Sequence, residues 1–369
     1  MGGWVSDAAL VWAGCGCSGG WLSALAGVAL ALLSTWAHLA FWRRKLSTPI
    51  SYDETHTVSV APGSYCELRR LRPPVASALP PVVMVHGIAI NHRNLDPRPD
   101  VSLARAVRDA GRDVWLLTLR SGRWDLSAGE RKAIDFAALA HEDLPKALAF
   151  VRAQTGADQL DYLGFSMGGM LLYACIGQTV PEAALRRVVI MGSPGIVGAV
   201  LPGTRLVAAI GRVWQPTLHA RFWTGLTAFL AEMVPTHIHG IFLNRRNCLP
   251  GLIHTYMVDA TSDIPGPLGM NMVHWAARDG VVRLDGEPVL PRLAAVRVPA
   301  LFMAGAADKL GTVRAVRAAY DVWGGAKELR VLGRSAGCVA DYGHMDMVTG
   351  PAAPREVFAP IIAFLAEPA

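Results

Sequence analysis

A serine flanked by glycines is the feature of this sequence best suited to carry out chemistry. Residues 164–168 read Gly-Phe-Ser-Met-Gly, which fits the pattern G-x-S-x-G, and they lie between a predicted strand and a predicted helix. The small residues permit a tight turn that exposes the hydroxyl of Ser166, and the helix that follows directs its N-terminal amides toward the same point. Because a serine hydroxyl alone is a weak nucleophile, Ser166 needs a base that is oriented by a carboxylate.

The candidates for the acid and the base follow the serine in the chain. Asp308 comes directly after the apolar run LFMAGAA, and His344 lies after the last predicted strand, in the run DYGHMD. Ser, then Asp or Glu, then His is the order expected with this type of turn. Since the carboxyl ends of parallel strands meet at one edge of a sheet, the three side chains are expected at the same rim. Other carboxylates compete for the role of the acid and are otherwise surface loop charges: Asp285, Asp341 and Asp346.

Backbone amides are expected to stabilise the negative charge that develops on an attacked carbonyl oxygen. One donor should be the amide of Met167, directly after the serine. The second donor is expected from the loop that follows His86 and Gly87, where Ile88 is favoured because Gly87 lets the backbone turn. The side chain of His86 is interpreted as a brace for this loop rather than as a participant in the reaction.

Short apolar runs alternate with amphipathic segments along most of the chain, and this alternation predicts the elements that position these residues. A hairpin is predicted over residues 55–72, followed by buried strands at 82–87, 113–119, 160–164, 188–191, 300–304 and 328–332. Helices are predicted at residues 102–110, 142–154, 167–177 and 313–323, with a last one after Pro354. The pattern is typical of the α/β class, with a mostly parallel sheet and helices on both of its faces.

The alternation of strands and helices breaks between Pro194 and Pro299. This stretch is rich in large apolar side chains, which predicts a mostly helical insertion over the carboxyl ends of the strands. Trp223 and Phe229 in it are the candidates for contact with a substrate acyl chain. The predicted organisation has four parts: a membrane anchor over residues 1–45, the first part of the core over 46–194, a cap over 195–298 and the second part of the core over 299–369.

An uncharged apolar segment runs from Trp21 to Trp42. As a helix it would be about 33 Å long, enough to cross a hydrocarbon core of roughly 30 Å. Arg43, Arg44 and Lys45 follow it directly, and the positive-inside rule places such a cluster, with the rest of the chain, in the cytoplasm. We therefore predict a single-pass membrane anchor with a cytoplasmic catalytic domain. The alternatives are an atypical export signal and a long buried helix.

Composition excludes several classes of protein. Of the 369 residues, 52% are hydrophobic and 17% are charged, which excludes a disordered chain. Most apolar runs are short, which argues against a multi-span transporter, and the net charge of +6 comes without a lysine-rich block, so no nucleic-acid partner is expected. The 6 cysteines are scattered, and neither a P-loop nor a G-x-G-x-x-G turn between a strand and a helix is present. No metal and no cofactor are therefore expected.

Five segments together make the sequence resemble the α/β-hydrolases, in particular the acid lipase and gastric lipase branch. They span most of residues 80–350 in order: VVMVHGI (82–88), SLARAVRDAGRDVWLLTLRSGR (102–123), DLPKALAFVRAQTGADQLDYLGFSMGG (143–169), PALFMAGAADKL (299–310) and DYGHMDMVTG (341–350). The resemblance implies an α/β-hydrolase fold with a lid-bearing insertion and hydrolysis of carboxylic esters. It also implies Ser166, Asp308 and His344 as nucleophile, acid and base.

Two features depart from that branch. Phe165 and Met167 flank the serine, where the family often has a histidine or another polar residue before it and a glutamine after it. A predicted anchor also stands where secreted members have a signal peptide. A weaker resemblance, to polyhydroxyalkanoate synthases, covers the strand DVWLLTL and the serine turn, but those enzymes use cysteine at the position of Ser166.

These observations leave three hypotheses open. The first is a membrane-anchored serine esterase or lipase that acts on a small-molecule acyl ester or a lipid. The second is an acyltransferase that uses the same acyl-enzyme, with an alcohol in place of water. The third is a catalytically idle binding protein with a hydrolase fold, which the presence of a candidate nucleophile, acid and base in the expected order disfavours.

Overall fold

The computed structural model describes residues 18–75, 77–199, 202–234 and 239–368 of the chain. By its internal contacts the chain divides into two compact units, Met1–Leu46 and Ser47–Ala369. The part of the predicted anchor that precedes Ser18 lies outside the described residues.

The first unit contains one helix, α1 (Ser18–Leu46), within the residues described. Its stretch Ser23–Leu46 is long and apolar enough to cross a membrane, and none of it is buried in the structure. Arg43, Arg44 and Lys45 lie in the last turn, where cations interact favourably with the carbonyl end of the helix dipole. A membrane anchor and a signal sequence both have this length and composition.

In the part of the second unit that the structure describes, there are ten strands. They are β1 (Glu54–Ala61), β2 (Ser64–Leu71), β3 (Val82–Val85), β4 (Val114–Thr118), β5 (Leu160–Phe165), β6 (Leu185–Met191), β7 (Arg283–Leu284), β8 (Glu287–Pro288), β9 (Ala300–Gly305) and β10 (Lys327–Leu332). Eight of them form one sheet in the order β1-β2-β4-β3-β5-β6-β9-β10, while β7 and β8 form a small ribbon. Within the eight-stranded sheet, the pairs β1–β2 and β2–β4 are antiparallel, and the neighbouring pairs along β4-β3-β5-β6-β9-β10 are all parallel.

Helices precede or follow most of these strands. They are α2 (Leu103–Asp109), α3 (Ala128–Ala133), α4 (Phe136–Ala138), α5 (Leu144–Thr155), α6 (Met167–Cys175), α7 (Thr204–Ile210), α8 (Ala220–Thr227), α9 (His239–Phe242), α10 (Leu252–Thr255), α11 (Gly266–Arg278), α12 (Val313–Val322), α13 (Asp346–Thr349) and α14 (Ala359–Ala366). Single π-helical turns lie at Leu139–Asp143, Tyr256–Ala260 and Pro354–Phe358.

The central strands are buried on both faces. In β3 the side chains of Val83 and Val85 belong to one apolar cluster, and those of Val82 and Met84 belong to the other. Successive side chains of a strand point to opposite faces, so a strand covered by helices on both sides must be apolar throughout. The predicted α/β class, with a mostly parallel sheet, is confirmed.

Strand β6 begins earlier than the sequence predicts. Arg186 and Arg187 look like the polar end of a strand, yet both are buried within β6. Arg186 donates to both carboxylate oxygens of Asp161 in β5, and Asp161 also accepts from the backbone amide of Arg187. A buried charge is tolerated when it is paired and hydrogen-bonded, so a partner distant in sequence extends the strand.

The stretch predicted as a cap, residues 195–298, contains α7 to α11 and the ribbon of β7 and β8. None of the residues of α7 is buried. Large apolar side chains in this stretch stay exposed, including Val213, Trp214, Trp223 and Met233. The boundaries of the cap remain a prediction.

Candidate active site

Ser166 occupies a strained turn between β5 and α6. Strand β5 ends at Phe165 and α6 begins at Met167, and Ser166 itself has φ 54° and ψ −118°. A positive φ is costly for a residue other than glycine, and such strain persists only where the surroundings enforce it. The backbone amide of Ser166 donates to the carbonyl of Met191 at the end of β6, 2.8 Å away, which fixes the turn to the neighbouring strand.

The glycines around Ser166 are required by close packing of the backbone. A Cβ atom at Gly164 would lie 2.5 Å from the amide nitrogen of Gly169, and one at Gly168 would lie 2.4 Å from the carbonyl oxygen of Val85 in β3. Contacts this short do not occur for real Cβ atoms, so only glycine lets α6 approach the sheet so closely. The pattern G-x-S-x-G is thus explained by packing as well as by the turn.

Asp308 and His344 form a buried hydrogen-bonded pair. Oδ2 of Asp308 lies 2.7 Å from Nδ1 of His344, and both side chains are buried. Oδ1 of Asp308 accepts from the amides of Leu310 and Gly311, at 2.8 Å and 2.9 Å. With one carboxylate oxygen held by two amides, the other is aimed at the imidazole. A carboxylate that accepts from Nδ1 leaves Nε2 as the ring nitrogen able to take a proton.

The structure brings this pair to the serine turn. The ring of His344 packs on Phe165, the residue before Ser166, with 4.8 Å between ring centroids. A Cβ atom at Gly192, directly after β6, would lie 3.1 Å from both Nδ1 and Cε1 of the same imidazole. The carboxyl ends of β5, β6 and β9 therefore meet where Ser166, His344 and Asp308 lie, as the strand order requires.

The competing carboxylates have other partners. Asp346 is buried, and burial raises the pKa of its carboxyl group. It accepts from the amides of Gly343 and Asn244 and from the side chain of Asn247, each at 2.9 Å, so it orders the loop that carries His344. Asp341 accepts from the amide of Arg334. Asp285 is exposed and pairs with His141.

The predicted oxyanion loop, residues 86–94, lies directly against the serine. A Cβ atom at Gly87 would be 2.9 Å from Cβ of Ser166, so this position also needs glycine. Ala89, two residues on, has φ 63°, which turns the backbone sharply. Ile88 lies between them, partly buried against the core. Met167 is the first residue of α6, where the amide has no acceptor within the helix.

His86 braces this loop. Its Nδ1 lies 2.7 Å from the carbonyl oxygen of Gly87, and its Nε2 accepts from the amide of Leu119 at 3.1 Å. The imidazole is fully buried, and burial lowers its pKa from 6.5 to about 4. His86 is therefore neutral at physiological pH, with one ring nitrogen donating and the other accepting.

We expect the folded protein to lose stability as the pH falls from 6.5 toward 4. The pKa of His86 is lower in the folded state than in the unfolded state, so in this range the unfolded state binds more protons. The free energy of unfolding therefore keeps its full value only above pH 6.5. The loss from this group at pH 5 should be about 2 kcal/mol. Urea unfolding at pH 7.5 and pH 5 measures it, with the His86→Gln variant as the non-titrating reference. An equal pH dependence in both proteins would show that His86 does not cause it.

The predicted substrate-contacting residues lie in the cap stretch. Trp223 is in α8, 58% exposed, with its ring against that of Phe222. Phe229 follows α8 in a short 3-10 turn and is partly buried. Their contact with an acyl chain remains a prediction.

Asp259 is a buried residue beside the oxyanion loop that the sequence analysis did not single out. Its backbone carbonyl accepts from the side chain of Asn91 at 3.1 Å. No motif surrounds Asp259 in the sequence, and the contact spans 168 positions. Among the described residues, no group of three or more His, Cys, Asp or Glu side chains is arranged to hold a metal ion.

The order of the sheet, the strained serine turn after β5 and the Asp–His pair at the same edge define an α/β-hydrolase fold. The sequence profile of the alpha/beta hydrolase fold family matches residues 80–350, and the chain belongs to this family.

Several lipases are similar to this chain in sequence. Human lysosomal acid lipase/cholesteryl ester hydrolase is 26% identical over 223 residues, which are 53% of this chain and 55% of the relative. Human lipase member M is 23% identical over 355 residues, which are 84% of this chain and 81% of the relative. The chain thus spans about half the length of lysosomal acid lipase and most of lipase member M. The predicted resemblance to this lipase branch is confirmed.

Solved structures show the same fold. A thermophilic esterase from Thermogutta terrifontis superposes with a TM-score of 0.55 at 15% identity, covering 85% of this chain and 98% of the esterase. The carboxylesterase CesB from Bacillus subtilis superposes with a TM-score of 0.54 at 16% identity, covering 91% of this chain and 99% of the carboxylesterase. At such low identity the likeness concerns the fold.

Proposed function

We propose that this protein is a serine hydrolase that cleaves carboxylic esters through an acyl-enzyme. The observation that carries the proposal is the 2.7 Å contact between Asp308 and His344, with the imidazole packed beside the strained turn of Ser166. Serine, histidine and aspartate in these roles recur on this fold, and the similarity to lipases supports ester substrates.

The three proposed catalytic residues can carry out each step of acyl transfer to water. Oγ of Ser166 attacks the ester carbonyl carbon while Nε2 of His344 takes the hydroxyl proton. Asp308 stabilises the imidazolium that forms. The amides of Met167 and Ile88 are the proposed donors to the oxyanion of the tetrahedral intermediate. His344 then returns the proton to the departing alkoxide, and a water activated in the same way releases the acid and frees Ser166.

Labelling with a fluorophosphonate probe tests this function. The folded full-length protein should form a covalent adduct at Ser166, located by peptide mass spectrometry, because the probe requires an activated serine. The Ser166→Ala variant is the control. Absence of an adduct on the folded protein would contradict the proposal and favour an idle hydrolase-fold protein. Product analysis with added alcohols then separates hydrolysis from transfer, since only an acyltransferase should convert most of the acyl-enzyme into a new ester.

Trp223 and Phe229 are proposed to contact the acyl chain. Truncation of either to alanine should reduce kcat/KM for long-chain esters more than for acetate, because each buried methylene contributes about 0.8 kcal/mol. A series of p-nitrophenyl esters from acetate to palmitate measures the dependence on chain length. Val213, 89% exposed in the same stretch, provides the matched control as Val213→Ala. An equal loss on acetate and on palmitate would mean that these aromatic residues only stabilise the cap.

We further propose that α1 anchors the protein in a membrane with the catalytic unit in the cytoplasm. Support comes from the uncharged apolar stretch and from the cluster Arg43–Lys45 at one end alone. A chain that starts at Ser47 should be soluble, keep its rate on short water-soluble esters and lose much of its rate on esters within bilayers. Ser47–Ala369 forms a compact unit of its own, which makes this truncation practicable.

Reporter fusions test the orientation. With the C-terminus in the cytoplasm, a fused green fluorescent protein should fluoresce and a fused periplasmic alkaline phosphatase should be inactive. The reverse orientation would require moving three cations across hydrocarbon, at about 2.5–3.5 kcal/mol each at the helix centre. The opposite reporter pattern would mean that residues 21–42 act as an export signal.

A further inference from the structure

The oxyanion loop is held in place by residues 260–262, which are distant from it in sequence. The carbonyl of Ala89 accepts from the amide of Ser262 at 2.8 Å, and the amide of Asn91 donates to the carbonyl of Ala260 at 2.9 Å. Between these bonds Ile90 forms an antiparallel bridge with Thr261. The positive φ of Ala89 is unfavourable for alanine, so it depends on such external bonds.

Asp259 stands at the start of that segment, in the π-helical turn Tyr256–Ala260. Its carboxylate is buried, and it accepts from the hydroxyl of Ser47 at 2.6 Å, from the amide of Thr48 at 2.8 Å and from the guanidinium of Arg93 at 3.2 Å. Two of the three donors therefore belong to the two residues that follow α1.

Asn91 and Arg93 complete the connection. The side-chain amide of Asn91 donates to the carbonyl of Asp259, and its oxygen accepts from the amide of Arg93 at 2.9 Å. Arg93 also donates to the carbonyl of Thr48 at 2.8 Å. The oxyanion loop, the π-helical turn and the segment after α1 thus share one hydrogen-bonded network.

We propose that Asp259 is a positioning residue for the oxyanion loop. The docked segment Ser47–Thr48 supplies two of the donors to Asp259 and thereby sets the rate of ester hydrolysis. The proposal rests on the proposed esterase function. If the segment leaves, the buried carboxylate keeps only Arg93, and a buried charge short of donors is unfavourable. The π-helical turn then relaxes, and the bonds from residues 260–262 that hold the loop beside Ser166 weaken. Asp259 acts through the loop and touches no reacting atom.

The full-length protein tests this with three variants and a control. Ser47→Ala removes one donor to Asp259, Ser47→Thr keeps a hydroxyl, and Asp259→Asn removes the charge. Ser51→Ala is the matched control, because Ser51 is an exposed serine shortly after Thr48 in the chain. kcat and KM are measured on p-nitrophenyl butyrate, the melting temperature reports folding, and hydrogen–deuterium exchange follows the amides of residues 86–94.

Ser47→Ala should lower kcat about five- to tenfold with KM changed less than twofold, since a hydrogen bond to a charged group is lost outside the substrate site. Ser47→Thr should restore most of the rate, and Asp259→Asn should lower kcat at least tenfold. Exchange of the loop amides should be about tenfold faster in Ser47→Ala, while Ser51→Ala behaves as the wild type.

Two outcomes would overturn the inference. One is an unchanged kcat and unchanged loop exchange in folded Ser47→Ala and Asp259→Asn. The other is a loss of rate that follows the melting temperature and is not restored by Ser47→Thr, which would mark a general structural role. If the wild type shows no hydrolysis dependent on Ser166, the proposed function fails instead. The exchange data then still decide whether Ser47 and Asp259 hold the loop.

Discussion

Replacement of Ser166 by alanine is expected to lower kcat for ester hydrolysis by about 10³–10⁶ without unfolding the protein. In the proposed mechanism no acyl-enzyme can form without Oγ, so only substrate binding and the proposed oxyanion donors would assist direct attack by water. Alanine removes a single oxygen from a turn whose backbone is held by the bond to Met191 and by glycine packing. Initial rates on p-nitrophenyl butyrate measure the effect.

Two further variants accompany Ser166→Ala: Ser193→Ala as a structural control and His344→Ala as a second proposed catalytic residue. Ser193 is a buried serine at the same edge of the sheet, and its hydroxyl donates to the carbonyl of Met191 at 3.1 Å. Ser193→Ala should keep kcat within about tenfold, since one neutral hydrogen bond contributes about 1 kcal/mol. His344→Ala should lower kcat as much as Ser166→Ala does. The double variant should be no slower than either, because the effects of replacing residues that act as a unit are not additive. Near-normal turnover by Ser166→Ala would remove the serine from the mechanism.

Replacement of Asp308 by asparagine is expected to lower kcat by about 10³–10⁴. The amide keeps the shape of the side chain but can donate where the carboxylate accepts, so the tautomer of His344 reverses and the imidazolium loses its counter-charge. The two amides of Leu310 and Gly311 already supply the other carboxylate oxygen with donors, which keeps the loop in place. Rates measured from pH 6 to 9 separate the loss of turnover from a change in protonation.

Asp346→Asn is the matched control for this substitution. Asp346 lies two residues after His344 but accepts from Asn244, Gly343 and Asn247, so its loss should mainly reduce stability, by about 1–3 kcal/mol. Its folded fraction should retain kcat within about tenfold. If Asp346→Asn abolished turnover and Asp308→Asn did not, the assignment of the acid would be wrong.

Much of the fold follows from local pattern in the sequence. Apolar runs such as Val82–Val85 and Ala300–Gly305 are too short for helices and follow a proline, so they predict buried strands. The spacing of Gly164, Ser166 and Gly168 predicts the strained turn, and the clash that a Cβ atom at Gly164 would make with Gly169 is a local reason for glycine there. Errors concern the ends of elements, as at Arg186 and Arg187, where a distant carboxylate makes buried charge tolerable.

The sequence by itself predicted the strands, the serine turn and the candidates for the site, because apolar runs and the G-x-S-x-G spacing are local patterns. The sequence favoured Asp308 among several aspartates, and the contact of its carboxylate with His344 is a feature of the tertiary structure. Asp308, Asp341 and Asp346 are all close to His344 in the chain or follow a strand, yet only the order of β6, β9 and β10 aims Asp308 at the imidazole. The same is true of Asp259 and Ser47, which are 212 positions apart. A hydrogen bond between remote residues leaves no period or spacing in the sequence, since its geometry exists only once the chain between them has folded.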